Sequence, residues 1–290
     1  MPILATTIAS VADRIIAAAR YVQEHNAVAS NLVESFKLTK GNDRVIVPNV
    51  GQFTMTSLVD GQDIVEEQSL GLSTVTLTAA EVGGKVIITD KSVRENGTTD
   101  IYRMIGRQFG DAGTRRMDTD VIALYGNLNG GTTYGAAAAT FTIGNFAAAI
   151  AKGRGKTTQP FKATYALQHP HAVYQIVRSA SVVGANTARP TNINDEDERK
   201  MLRNFFRHSF NGCDLFEDGN ITVDSSADAI GVIAQRDALY KLMSKEWTSE
   251  KQRDASRRAH EIVYSADYGV GELDDAKGAP LVYDATAPSD

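Results

Sequence analysis

The sequence predicts an α+β protein in which β-strands at both ends of the chain enclose a mixed α/β segment. Residues 44–90 contain runs rich in β-branched side chains, and Ser73–Thr78 alternates polar and apolar residues with the period of a strand. Residues 99–125 instead repeat apolar side chains at the spacing of one long helix. From residue 257 the chain returns to strand-like runs, so two β-rich regions flank the helical and mixed segments.

Composition excludes several broad classes of function. The chain has 290 residues, of which 42% are hydrophobic and 22% charged, which is ordinary for one or two globular domains. Its net charge of −5 is opposite in sign to the basic excess of proteins that mainly bind nucleic acid. Cys213 is the sole cysteine, so we expect a small buried residue and no intrachain disulfide. The sequence lacks a signal peptide and a stretch apolar enough to span a membrane, so we expect a cytoplasmic product.

The first forty residues predict an N-terminal arm. Residues 8–24 fit a helix with one thin apolar stripe, which consists of Ile8, Val11, Ile15 and Ala19. Because this stripe offers so little apolar surface, we expect the arm to need a partner that holds it.

Residues 48–72 predict an extended β-hairpin loop between strand-like runs. Asp60-Gly61 and Gly83-Gly84 are turn signals that separate the predicted strands. A lone hairpin is marginally stable in water, and its open edges favour pairing with another chain. We therefore expect the loop to lie on the body of its own subunit or on a neighbour.

Residues 99–125 form the longest predicted helix. Apolar side chains repeat along one side, and charged side chains, Asp118 among them, are predicted on the other. Gly106, Gly110 and Gly113 weaken a helix by about 1 kcal/mol each relative to alanine, and we expect them to permit a bend or a close approach of another backbone. The Gly-, Thr- and Ala-rich residues 126–140 then predict a flexible linker, which is the best boundary inside the chain.

Residues 142–253 predict a mixed α/β unit. Strands are expected at ATYALQHP and AIGVIA, with a hairpin that turns at Asp218-Gly219. Helices are expected at NFAAAIAKG, HAVYQIVRSA, after a cap at Asn194, and at QRDALYKLMSK.

No motif for catalysis or cofactor binding stands out. AKGRGKTTQ fails as a phosphate-binding loop, because Ile150 occupies the position of its first glycine. His169 and His171 flank Pro170 at a predicted strand-to-helix turn, where packing is favoured over a weak metal site. A GxSxG nucleophile elbow is absent. The sequence therefore predicts no catalytic residue, no bound metal and no cofactor.

Four stretches follow one another along the chain: VIVPNVGQFTMTSLVDGQDIVEEQ, GKVIITDKSVRENGTTDIYRMIGRQFGDAGTRRMDTDVIALYGN, KATYALQHPHAVYQIVRSA and RRAHEIVYSADYGVGEL. Their order resembles the major capsid proteins of tailed bacteriophages, in which an extended loop, a strand with a spine helix, a strand–turn–helix and a closing strand succeed one another. The likeness covers residues 40–285. Each motif is short, and their order carries the resemblance.

The resemblance implies a coat protein and not an enzyme. Such a chain self-assembles into hexamers and pentamers, which form the icosahedral head shell around double-stranded DNA without reading its sequence. The shell is part of the virion and assembles in the bacterial host cytoplasm, away from any membrane. The implied division is an N-terminal arm at 1–43, an extended loop with flanking peripheral strands at 44–90, the spine helix of the peripheral domain at 91–135, an α/β axial domain at 136–253, and a return to the peripheral domain with a C-terminal strand at 254–290.

The resemblance also implies contact residues and partners. Contacts between subunits are expected around the tip of the extended loop, at Val59, Asp60, Gly61, Ile64, Val65, Glu66 and Glu67. Hinge residues are expected at Gly126, Gly130 and Gly131. A separate scaffolding protein is expected, because no long segment precedes the arm. A portal is also expected, and whether a decoration protein is added stays open. Some family members cross-link a loop lysine to a neighbour, but this chain has no lysine between Arg44 and Lys85, so that cross-link is not expected.

Three alternatives stay open from the sequence alone. An encapsulin-like bacterial nanocompartment has the same architecture but encloses cargo enzymes, and a cargo-enzyme gene beside this one would favour it over terminase and portal genes. A soluble α/β enzyme would require a converging polar cluster in a pocket. A phage decoration or tail protein would be shorter and more uniformly β.

Overall fold

Three sheets and five helices make up the described part of the chain. The computed structural model describes residues 27–39, 42–50, 53, 55, 57, 60–61, 73–96, 98–157, 159–182 and 208–288. The helices are α1 (Ala29–Leu32), α2 (Asp90–Asn96), α3 (Thr98–Ile122), α4 (Ile143–Arg154) and α5 (Pro170–Val182). Three short 3-10 helices lie at Tyr125–Gly131, Arg236–Ala238 and Asp275–Lys277.

The first sheet is built around a long antiparallel hairpin. Its spatial order is β1 (Glu34–Lys37), β10 (Leu239–Asp254), β11 (Ala259–Glu272) and β4 (Ala80–Thr89). The hairpin of β10 and β11 remains paired as far as Asp254 opposite Ala259. Strand β1 runs parallel to the start of β10, so the N-terminal segment enters the fold through this sheet.

The second sheet carries the main core. Its order is β5 (Tyr134–Gly135), β12 (Gly278–Asp284), β9 (Asp228–Ala234), β6 (Tyr165–Gln168), β8 (Cys213–Glu217) and β7 (His208–Phe210). Parallel and antiparallel neighbours are mixed, as expected for an α/β unit. Central strands and helices α4 and α5 contribute the buried core side chains, which include Phe146, Ile150, Leu167, Ile176, Ile233 and Leu281.

A third, two-stranded sheet is formed by β2 (Arg44–Asn49) and β3 (Ser73–Thr78). The strands are antiparallel and pair along their full length, from Arg44 opposite Thr78 to Asn49 opposite Ser73. This hairpin confirms the strands predicted on either side of the extended loop. Pro48 lies in β2, which has a partner on one side only in the described residues, and an edge strand tolerates the missing N–H.

Helix α3 confirms the long predicted helix and packs on the face of the four-stranded sheet. The Phe109 ring stacks on Tyr264 at a centroid distance of 5.5 Å, and Tyr264 stacks on Trp247 at 4.9 Å. A Cβ atom at Gly113 would lie 3.0 Å from the Trp247 indole. Glycine at this position therefore allows the close approach of a side chain from the sheet.

The turn predicted at Gly83-Gly84 is wrong. Both residues lie inside β4, where they pair with Ser265 and Tyr264 of β11. A Cβ atom at Gly83 would lie 2.9 Å from the carbonyl oxygen of Tyr264. The two glycines thus serve the close packing of a continuous strand, a use of glycine that local sequence does not distinguish from a turn.

The hairpin predicted at Asp218-Gly219 is also wrong. The turn lies at Asn211-Gly212, between β7 and β8, and both of its residues have positive φ, at 52° and 79°. Strand β8 instead runs parallel to β6, so residues 218–219 leave the end of a parallel strand. Asn-Gly is the strongest short hairpin signal in a sequence, and it identifies the correct turn.

The helix predicted for QRDALYKLMSK is the third correction. Only Arg236–Ala238 is helical, as a single 3-10 turn, and the chain continues from Leu239 as strand β10. Pairing with β1 and β11 on its two sides overrides the helical propensity of leucine, lysine and methionine here.

Several predictions lie outside the described residues, namely the helix at 8–24, most of the extended loop and the helix after Asn194. The division into domains stays a prediction; β10 belongs to the same sheet as β4 and β11, and β12 belongs to the six-stranded sheet. None of the described helices combines the length and apolarity needed to cross a membrane.

Candidate assembly surfaces

The two-stranded sheet has one face attached to the body of the subunit. The alternation of β2 and β3 places Val45, Val47, Val75 and Leu77 on this inner face. They pack against Phe36, Tyr240, Leu242 and Leu273 of the β1–β10 region, and Leu77 is fully buried. The hairpin is therefore fixed at its base by ordinary core packing.

A second contact fixes the base of the hairpin at the point where β3 leads into β4. A Cβ atom at Gly269 of β11 would collide with the carbonyl oxygen of Thr78. The backbone of Thr78 thus crosses directly over β11, and only glycine permits that approach. The hairpin cannot swing away from β11 without losing this contact.

The outer face of the same hairpin carries exposed apolar side chains. Ile46 on β2 is 56% exposed, and Val50, Phe53 and Met55 continue beyond the strand. Met55 is 95% exposed, which is extreme for an apolar side chain. Exposed large apolar side chains that follow one another closely in the sequence, as these do, are typical of a site where another protein binds. We call Ile46, Val50, Phe53 and Met55 the outer stripe.

The structure describes two of the seven predicted loop contacts. Asp60 and Gly61 form a turn in which Gly61 has φ of 78°, as a tight turn at the loop tip requires. The other five, Val59, Ile64, Val65, Glu66 and Glu67, lie outside the described residues, and the role of all seven stays a prediction. The outer stripe was not predicted, although the alternation in RVIVPN placed Ile46 opposite the inward valines.

The three predicted hinge glycines lie in the 3-10 segment that follows α3. Gly130 and Gly131 have positive φ, at 59° and 74°. The N–H of Gly130 donates to the carboxylate of Asp275 at 3.0 Å, and Tyr125 is fully buried. Gly126 has no atom within 4 Å of where a Cβ would lie. The segment is therefore packed and hydrogen-bonded at this point, while rotation about the glycines stays a prediction.

Several strand edges of the four-stranded sheet are open within the described residues, including the outer side of β1. Strand β4 pairs with β11 on one side only, and β10 has no partner on its outer side beyond Met243. Open edges present unpaired N–H and C=O groups to any strand that approaches. They are the second kind of surface that could bind another subunit.

An ion-pair network covers the far end of the long hairpin. Arg253 lies 2.9 Å from Asp90, and both Lys85 and Arg257 lie 3.6 Å from Glu261. These pairs join β4, β10, β11 and α2 at the surface. Exposed pairs of this kind contribute at most about 1 kcal/mol each, so they orient the end of the hairpin more than they stabilise it.

The residues whose side chains could take part in catalysis are buried or make contacts within the fold. Burial raises the pKa of Cys213 to about 12, so its thiol stays protonated and unreactive. The His171 ring nitrogen Nδ1 lies 3.2 Å from the Ala285 carbonyl oxygen, and its ring is in edge contact with that of His169. Lys156, in the rejected phosphate loop, donates to the Ala276 carbonyl at 3.1 Å. The described residues contain no group of three potential metal ligands.

A polar recess of about 440 Å³ lies beside β1. It is lined by Glu34, Ser35, Thr164, Gln235, Arg236 and Asp237. Neither a histidine nor a cysteine lines it.

One buried polar site was not predicted from the sequence. Asp118 was predicted on the solvent side of the long helix, but it is fully buried and hydrogen-bonded. Its position three residues before Val121 places it on the apolar face, and that spacing could have identified it.

Comparison with solved structures shows the same fold in phage capsids. The capsid protein of cyanophage P-SCSP1u is 14% identical, with a TM-score of 0.66 over 93% of this chain and 91% of that chain. The capsid protein of cyanophage Pam1 is 11% identical, with a TM-score of 0.69 over 93% and 95%. The encapsulin SrpI of Synechococcus elongatus is 11% identical, with a TM-score of 0.63 over 100% and 99%. A search of curated protein sequences gave no match.

The sequence profile of one family also matches this chain. It is the profile of a phage capsid protein family, and it spans residues 73–280, from β3 to β12. The matched region contains the long helix, strand β3 at the base of the extended loop, and the strands of both large sheets except β1 and the last residues of β12. The chain belongs to this family of phage capsid proteins. It is a structural protein of the phage head shell, and the shell is built from copies of this protein.

Proposed function

We propose that this chain is the major capsid subunit, and that its hairpin straps one subunit to the next. The outer stripe carries the proposal, because four large apolar side chains on β2 and just beyond it are exposed, whereas the inner face of the hairpin is already packed. A neighbouring copy that covers the stripe removes this surface from water, at about 25 cal/mol per Å² of apolar area.

Assembly then follows from many modest contacts. Contacts between different surfaces of identical subunits close into rings, which here are the hexamers and pentamers of an icosahedral shell. The loop tip, with Val59, Ile64 and Val65, extends the strap, and the N-terminal arm at 1–43 adds a second one. Simultaneous engagement of several weak contacts multiplies the affinity. The glycines Gly126, Gly130 and Gly131 let one sequence fit different local curvatures.

The charge of the chain suits a container for DNA. Acidic residues such as Asp60, Glu66 and Glu67 contribute to the net charge of −5. A shell that encloses double-stranded DNA without sequence-specific contacts needs no strongly basic surface, which would retain the genome through salt-dependent phosphate contacts. We propose assembly in the bacterial host cytoplasm with a separate scaffolding protein and a portal, and no catalytic activity.

A nanocompartment shell is the second candidate. The fold likeness to the encapsulin SrpI extends over this whole chain, which supports a shell around protein cargo. The two candidates differ in what the shell encloses. Mass spectrometry of shells isolated from the natural host separates them, because cargo enzymes indicate a nanocompartment, whereas portal and scaffolding proteins with packaged DNA indicate a phage head.

The strap is tested by replacing residues 54–68 with a short Gly-Ser linker. We expect a folded subunit that no longer forms shells or rings, because the inner face of the hairpin and its anchor at Gly269 remain. Negative-stain electron microscopy and light scattering of the wild type and the deletion, each co-expressed with its scaffolding protein, give the readout. Normal shells from the deletion would contradict the proposal.

A further inference from the structure

Two buried aspartates meet where three segments of the chain come together. Asp118 belongs to α3 and is fully buried, and Asp218 follows β8 and is 1% exposed. The third segment, residues 28–30, is where the chain enters the described fold and begins α1. Charged groups are rarely buried to this extent unless they are paired, so this pair calls for a specific explanation.

Four N–H donors bind the pair. Asp118 accepts from the backbone N–H of Ser30 at 3.0 Å and from the Asn220 side chain at 3.1 Å. Asp218 accepts from the backbone N–H of Val28 at 3.2 Å and from that of Asn220 at 2.9 Å. Each carboxyl group therefore holds one backbone amide of the segment 28–30, and Asn220 bridges the two.

The two carboxyl groups also contact each other. Burial, followed by the hydrogen bond to Asp218, raises the pKa of Asp118 to about 7, against the lowering effect of the donors from Ser30 and Asn220. A carboxyl pair in such contact retains one proton, because two adjacent buried negative charges repel. A proton shared by the two carboxyl groups would lie between α3 and the loop after β8.

Among the described residues, the groups around the pair do not neutralise a second negative charge. The buried Tyr125 hydroxyl has no hydrogen-bond partner in this part of the chain, and its pKa is raised by burial and by the charges of Tyr165, Asp118 and Asp218. From β10, the Lys241 ammonium donates to the carbonyl oxygen of Ser30 at 2.8 Å and is thereby engaged. Residues 27–33 contain no titratable side chain.

We propose that Asp118 and Asp218 form a proton-dependent clasp that fixes residues 28–30 to the body of the subunit. With one proton the pair binds all four donors, and the clasp is closed. Loss of that proton places two negative charges side by side in a buried site, and the clasp opens. Because residues 1–27 precede it, the clasp controls the root of the predicted N-terminal arm.

The direction of the pH effect follows from linkage. The pKa of Asp118 is raised in the closed state above the ordinary aspartate value. The contribution of protonated Asp118 to closure is therefore fully present when the pH is below the ordinary aspartate pKa, and it is lost as the pH rises through about 7. Between pH 6 and pH 8 the equilibrium constant for opening rises about tenfold.

Hydrogen exchange of the full-length protein tests the clasp. Peptides that cover residues 28–33 are compared at pH 6 and pH 8, after correction for the pH dependence of the intrinsic exchange rate. We expect protection of the Val28 and Ser30 amides to fall about tenfold at the higher pH. Peptides from the core strand β9 serve as the internal reference. Equal protection of residues 28–33 at both pH values would overturn the proposal.

Neutral variants separate the clasp from a general pH effect. Asp118→Asn and Asp218→Asn each remove the shared proton while keeping the size of the side chain, so protection of residues 28–33 becomes independent of pH from 6 to 8. Asp111→Asn, an exposed position on the same helix, retains the tenfold change. A pH dependence that persists in both neutral variants would overturn the clasp, and the wild-type comparison stands even if one variant fails to fold. Shell formation does not enter any of these readouts, so the clasp and the proposed function fail separately.

Discussion

The hairpin of β2 and β3 and the six-stranded sheet use similar apolar residues in opposite ways. In the six-stranded sheet, Leu167 and Ile233 are fully buried between helices and neighbouring strands. In the hairpin, one face packs on the subunit and the other leaves Ile46 and Met55 in water. The first region holds its fold within a single chain, whereas the second is complete only when another surface covers it.

This difference separates the stability of the subunit from its ability to assemble. Removing core side chains from the six-stranded sheet should destabilise the folded chain. Removing side chains from the outer stripe should leave the fold intact and affect contacts between chains. Substitutions in the two regions test whether that separation is real.

The largest effect on the fold is expected from Phe141→Ala. Phe141 is fully buried, and its ring lies 4.6 Å from that of Tyr283 and 5.9 Å from that of Phe146. Its truncation leaves a cavity, and we expect the free energy of unfolding to fall by about 3–5 kcal/mol. Chemical denaturation followed by circular dichroism measures it. An unchanged unfolding midpoint would contradict the assignment of the core.

A smaller loss is expected from Gly113→Ala at the contact between α3 and the sheet. The new Cβ would lie 3.0 Å from Trp247, so we expect a loss of about 1–3 kcal/mol and a change in tryptophan emission. Trp247 is the only tryptophan in the chain, so all tryptophan emission comes from this side chain. Gly110→Ala is the matched control, because a Cβ there meets no atom within 4 Å; alanine should stabilise the helix by up to about 1 kcal/mol. Equal effects of the two substitutions would contradict the packing of the helix.

The substitutions Ile46→Ser and Phe53→Ser are expected to have almost no effect on the fold. Both side chains are exposed, so the free energy of unfolding should change by less than about 0.5 kcal/mol for each. The fraction of protein in shells, measured by sedimentation, should nevertheless fall sharply. Thr74→Ser and Thr76→Ser on β3 are the controls, since they are exposed positions of the same hairpin that carry no large apolar side chain. Normal assembly of the Ile46→Ser and Phe53→Ser double variant would contradict the role of the outer stripe.

The smallest effect concerns Cys213. Because burial raises the pKa of its thiol to about 12, iodoacetamide at pH 8 should not modify the folded protein. The same reagent should modify it fully in denaturant, as measured by intact mass. Rapid modification of the folded chain would show that β8 is more open than the structure indicates.

Sequence patterns with a clear period predicted their elements well. The alternation in Ser73–Thr78 and the helical spacing of residues 99–125 both correspond to observed elements. The same periodicity could have placed Asp118 on the buried face. In each case the deciding signal lies within a few neighbouring residues, where local geometry dominates.

Elements that depend on distant contacts were harder to predict. The sequence predicts a helix over QRDALYKLMSK, where the first part of β10 lies, because the pairing of this segment with β1 depends on residues about 200 positions away in the sequence. Gly83 and Gly84 were taken for a turn, because the approach of the Tyr264 backbone is not visible locally. The outer stripe was missed for the same reason, since exposure depends on which face of the hairpin the body of the subunit covers.

Cryo-electron microscopy of the assembled protein tests the central claim most directly. The account predicts closed shells in which the outer stripe, with Ile46 and Met55, is covered by a neighbouring subunit. Shells in which these side chains face solvent would contradict the strap, and another surface would then have to hold the shell together.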